Sequence, residues 1–193
     1  MDESSSSIMN TDNSISSKET AINTSLNIEN NNQISFFTQK YIIKSIAQNL
    51  RDIIKQNIRN NQMKNVRHDL FYIQGQFSIS IEDYINIIFK GTKMSLSTLI
   101  ISIIYIDKFI ELNGYILSLK NIHRILVASC LLSIKFNEDT ISTKYYSKIV
   151  GINDNDLNIL ELYFYIKLQF SLLVDYECYK QYFDYFSNFN LDK

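Results

Sequence analysis

Residues Leu119–Phe136 read LKNIHRILVASCLLSIKF, and their pattern decides the fold. The first turn is polar, with Lys120, Asn121, His123 and Arg124, whereas Ile125 to Ile134 is apolar or small on every side. A surface helix shows one apolar stripe; a helix apolar all round is enclosed by other helices. Ala128, Ser129, Cys130 and Ser133 are small enough to let those neighbours approach closely. The segment is therefore expected to be the central helix of an all-α domain. Lys135 emerges at its C-terminal end, where a cation meets the negative pole of the helix.

The segments on either side carry helical spacing too. Before the hub, apolar residues recur from Phe36 to Ile58 with one buried stripe (Phe36/Phe37, Ile42/Ile43, Ile46, Leu50, Ile53/Ile54, Ile58). A loop to about Phe77 follows. A helix then starts at the N-cap Ser80, with Glu82 and Asp83 in its first turn and Gly91 as its stop. The next helix runs from about Ser95 to Leu112 and ends at Asn113-Gly114, and the hub follows from Ser118. After Asn137-Glu138-Asp139 come a short helix near Lys144–Val150 closed by Gly151 and a longer one capped by Asn153 or Asp154, reaching about Phe170. A last helix, about Asp175 to Phe186, puts Tyr176, Tyr179, Phe183 and Phe186 on one core-facing side. Strand-like alternation is absent.

Composition bounds the function. A chain of 193 residues holds one domain with a sizeable core plus a tail. Residues 1–34 are Ser- and Asn-rich without a sustained period and are expected to be disordered; 35–76 form an N-terminal helix and loop, and 77–187 the main domain with its C-terminal helix. A formal net charge of −1 gives no electrostatic case for nucleic acid or an anionic membrane. The run Leu96–Ile106 is too short to span a bilayer and is broken by Asp107 and Lys108, and no signal peptide is expected. Cys130 and Cys178 are expected to be inert thiols in a reducing compartment, cytoplasm or nucleus. No metal site, cofactor or catalytic set is expected: His123 is a lone His, His68 is distant, and no nucleophile–base pair or phosphate loop is present.

The residues at the joints of these helices resemble the cyclin box, and most of all the P/U-type (Pho-type) cyclins. The matching pieces are Ile79-Ser80-Ile81 with Tyr84-Ile85, Tyr105-Ile106-Asp107-Lys108, Asn121-Ile122-His123-Arg124, and Lys135-Phe136 followed by Glu138-Asp139. Tyr145-Tyr146 through Gly151-Ile152, Leu157-Asn158 and Leu160-Glu161 complete the run, which covers about residues 77 to 186. The sequence departs from the family at Lys108 (usually Arg), at Asn137 (commonly Leu), at Val150 in place of the first of two glycines, and in lacking a Pro before the Ser-Ile-Ser segment.

The resemblance implies a single box of five helices around a buried one, with flanking N- and C-terminal helices. It also implies a regulatory subunit, not an enzyme, that binds and activates a cyclin-dependent Ser/Thr kinase in cell-cycle or nutrient-responsive control. By that resemblance Lys135 and Glu161 match the Lys and Glu that cyclins present to the kinase backbone; on their residue types alone they read as an ordinary surface salt bridge. Leu132, Phe136, Leu162 and Tyr165 are the expected apolar patch around them, with core packing as the alternative. Asp107, His123 and Arg124 are expected to be structural, Asp107 with Lys90 or Arg124 as its cation. A cyclin-fold transcription factor and a helical adaptor without kinase activation stay open as other classes. The first wants a basic face, which a near-neutral chain does not offer.

Overall fold

The computed structural model of the chain describes residues 35–75, 78–138 and 141–191. The expected disordered tail at 1–34, the expected loop end at Phe77, and Asp139 of the family motifs lie outside the described residues. The chain divides into two compact units, residues 1–40 and 41–193. In the first, the described residues 35–40 are helical, and Phe36 and Phe37, expected on a buried stripe, are exposed.

The second unit is built of helices, with no strand among the described residues. We number them α1 (41–59), α2 (Ile81–Thr92), α3 (Leu96–Asn113), α4 (Ile122–Asn137), α5 (Thr143–Val150), α6 (Asp154–Lys167) and α7 (Tyr176–Ser187). Their starts show capping chemistry, expected at Ser80 and at Asn153 and found also at the helix starts Ser95 and Asp175. Ser80, Ser95, Asn153 and Asp175 each accept a hydrogen bond from a backbone N–H three residues on. Gly114 and Gly151 end α3 and α5 in the left-handed conformation that a Cβ disfavours.

Helix α4 is the hub. From Ile122 to Ile134 every residue except Arg124 is buried. Its small face meets α3, where the Ser133 hydroxyl donates to the Thr98 carbonyl at 2.7 Å. Buried polar groups must be paired, and the tyrosines around the hub satisfy this. Tyr146 donates to Val127 O at 3.0 Å, Tyr84 to Val150 O at 3.0 Å and Tyr105 to Leu172 O at 2.8 Å, so phenols tie three helix connections together. Burial raises the pKa of all three, which keeps them protonated as donors.

Three local expectations are corrected. The hub starts at Ile122, not Ser118: the Asn121 side chain accepts from Ser118 N–H and donates to Ile116 O, folding the preceding residues into a turn. Gly91 does not stop α2, which runs on to Thr92 and turns at Lys93 with φ 58°. Gly91 instead provides close approach, since a Cβ there would lie 2.7 Å from Ile149 Cγ2 on α5. Ile58 of α1 and Tyr176 of α7 are exposed, leaving Phe186 buried and Tyr179 and Phe183 packed at the core margin. The loop before α2 is present as expected, and it holds Phe71, fully buried against Phe109, Tyr115, Tyr163 and Phe164.

Candidate partner-binding site

The C-terminal turn of α4 and the middle of α6 lie side by side, and the two expected polar residues meet there. Lys135 Nζ donates to Glu161 Oε2 at 2.7 Å. Their side chains retain 28% and 16% of their exposure, so the pair is neither sunk in the core nor free in solvent. The bond uses one ammonium hydrogen and one carboxylate oxygen; an ammonium has three donors and a carboxylate about four lone-pair positions, so both keep capacity for a further partner.

The surrounding apolar residues divide. Phe136, next in sequence to Lys135, is 52% exposed, and Leu162, next to Glu161, is 57% exposed. Tyr165 is half-buried and stacks edge-on against Phe170, with ring centroids 4.8 Å apart. Leu132, expected on the same outward patch, is only 5% exposed and belongs to the core: α4 is enclosed until Ile134, one turn later than an outward-facing Leu132 requires. Phe170 is a residue that the sequence reading missed. It is exposed, just past the end of α6 at φ 60°, where the chain turns back toward Tyr165.

The three residues expected to be structural sit elsewhere and are not brought together with Lys135. His123 Nε2 lies 3.1 Å from Ile79 O, and its ring packs edge-on against Tyr84. Burial lowers its pKa, partly offset by that backbone hydrogen bond. Arg124 Nη1 donates to Leu70 O at 2.8 Å, pinning the loop before α2 to the hub. Asp107 is not paired with Lys90 or Arg124. It accepts from the Tyr182 hydroxyl at 2.8 Å, because α7 rather than a basic side chain packs over this turn of α3. Both cysteines are free, and burial pushes the Cys130 thiol up to about 11.

Among the described residues no group of three His, Cys, Asp or Glu side chains is placed to hold a metal ion. No described helix is long and apolar enough to cross a membrane.

The family model named Cyclin matches residues 2–172, most of the chain. The chain belongs to the cyclin family. The cyclin is 34% identical over 106 residues to Cyclin-U2-2 of Arabidopsis thaliana, an alignment covering 54% of this chain and 46% of that protein. It is 29% identical over 151 residues to Cyclin-U4-1 of the same plant, covering 75% and 70%. It is 30% identical over 105 residues to Cyclin-P3-1 of Oryza sativa subsp. japonica, covering 54% and 44%. The relatedness is thus to cyclins of the U and P types, and the cyclin spans about half the length of most of these relatives.

Proposed function

We propose that this cyclin is the regulatory subunit of a cyclin-dependent Ser/Thr protein kinase and acts by position, in cytoplasm or nucleus. The supporting observation is the partly exposed Lys135–Glu161 pair, held by two packed helices and flanked by exposed Phe136 and Leu162. A rigid cation and anion 2.7 Å apart can together take up the carbonyl and amide groups of a partner loop, and the exposed apolar side chains supply area. Phe170 and Tyr165 extend that apolar area along the end of α6.

The mechanism that follows is a population shift. Docking presses the kinase C helix inward, so that its Glu reaches the Lys that orients the ATP phosphates. Driving a kinase from mostly inactive to mostly active needs about 5.5 kcal/mol of preference for the active form. That calls for an interface on the order of 1,600 Å². All chemistry is the kinase's. Co-purification from the native source, followed by a phosphotransfer assay on histone, tests this reading: kinase activity recovered with the cyclin supports it, and none recovered refutes it.

A further inference from the structure

A cavity of about 320 Å³ lies away from the Lys135–Glu161 pair, walled by Asn49 and Ile53 of α1, Asp107 of α3, and Tyr182, Tyr185 and Phe186 of α7. Its one charged lining group is the half-buried carboxylate of Asp107. Among the described residues that carboxylate has one hydrogen-bond donor, the Tyr182 hydroxyl on Oδ2, and takes part in none of the three ion pairs. A carboxylate drawn out of water without a cation is costly. Burial here raises its pKa, and the Tyr182 hydrogen bond offsets this only in part.

The walls complement that charge. Tyr182 and Tyr185 present aromatic rings, whose faces attract cations. Tyr185 is held by three contacts: Asn49 Nδ2 donates to its hydroxyl at 2.9 Å, and its ring packs edge-on against the buried Phe186 at 5.1 Å and against Phe189 at 5.5 Å. With its amide nitrogen engaged, Asn49 has its carbonyl oxygen as a further acceptor at the rim. A carboxylate, aromatic faces and an amide carbonyl form an electron-rich lining. The volume is at the lower end of small-ligand sites and suits one side-chain-sized group. A divalent metal is a poor fit, since Mg²⁺ and Ca²⁺ seek six or more oxygens and a single carboxylate stands here.

We propose that this cavity is a binding site for one organic cation, an alkylammonium or guanidinium group on a short aliphatic stem, seated on the Asp107 carboxylate between the tyrosine rings. The group comes either from a small free amine or from a Lys or Arg side chain of a partner.

The test titrates the full, ¹⁵N-labelled chain with putrescine, agmatine, an Nα-acetyl-arginine methylamide and the uncharged isostere 1,4-butanediol. The expected result is saturable millimolar shifts of amides around Asp107, Tyr182 and Tyr185 with at least one cation and none with butanediol. In Asp107→Asn, which keeps an acceptor for Tyr182, the affinity falls about tenfold or more while the spectrum stays dispersed. Tyr185→Ala, on an exposed position of α7, weakens binding several-fold and serves should Asp107→Asn not fold. Binding by the free amines alone assigns the site to a small ligand; binding by the arginine derivative alone assigns it to a partner side chain. No saturable shift with any cation, an equal response to butanediol, or unchanged affinity in folded Asp107→Asn overturns the proposal.

Discussion

Leu132→Ala and Leu162→Ala separate core from partner surface by their opposite effects. Leu132 sits in the enclosed part of α4 at 5% exposure, so truncation removes three methyl-sized groups from a packed interior and leaves a cavity. Buried leucine truncations cost about 2–5 kcal/mol, and a value of about 3 kcal/mol is expected for this well-enclosed site. For a domain of this size that lowers the melting temperature by roughly 6–12 °C. Leu162, at 57% exposure, already meets water, so its truncation should stay within about 0.5 kcal/mol of the unaltered chain. Urea and thermal melts followed by far-UV circular dichroism give both numbers. In kinase capture the order reverses at a temperature where both variants are folded: Leu162→Ala weakens binding and Leu132→Ala does not. A Leu132→Ala variant of undiminished stability, or a Leu162→Ala variant that unfolds, would refute the placement of the two leucines on opposite sides of the surface.

Other outcomes follow from particular contacts. Gly91→Ala should cost about 1–3 kcal/mol by overpacking against Ile149, and the same change made in an Ile149→Ala background should cost markedly less, a coupling that a double-mutant cycle in urea measures. His123 is held neutral by burial, so below about pH 6.5 the unfolded chain takes up a proton that the folded chain refuses. Its contribution is present above that pH and is lost as pH falls, and the stability of His123→Gln should depend less steeply on pH over that window. Taking the difference between the two chains removes the opposing effect of Asp107, whose raised pKa favours the fold as acid is added. With its thiol pushed up to about 11, Cys130 should resist iodoacetamide in the native protein at pH 8 and react once denatured, while the half-buried Cys178 labels first; equal labelling rates would count against the enclosed hub.

The hub was legible because burial on all sides leaves an unmistakable pattern: nothing polar but small residues between Ile125 and Ile134. Helix starts were legible for a similarly local reason, since Ser80, Ser95, Asn153 and Asp175 bond the backbone three residues away. What sequence left hidden was set by contacts distant along the chain. Phe71 lies in a stretch with no period, and only packing against α3 and α6 buries it. Gly91 reads as a helix stop until α5 is seen to cross within reach of its missing Cβ. The partner of Asp107 depended on α7 folding back over α3, which no spacing in either helix encodes. Leu132 shows the same limit at the site itself: on a helix apolar all round, periodicity cannot tell which residue is the last to be covered.

The measurement that bears most directly on the proposed function is kinase capture and activation by a charge swap. Lys135→Glu, Glu161→Lys and the double change are compared with the unaltered cyclin. The double change restores an intramolecular ion pair of reversed polarity, so its melting temperature should match that of the original. Its kinase binding should nonetheless fall by tenfold or more, because the partner's backbone donors and acceptors then face like-signed groups. A folded double variant that captures and activates the kinase as well as the unaltered chain would contradict the role assigned to Lys135 and Glu161.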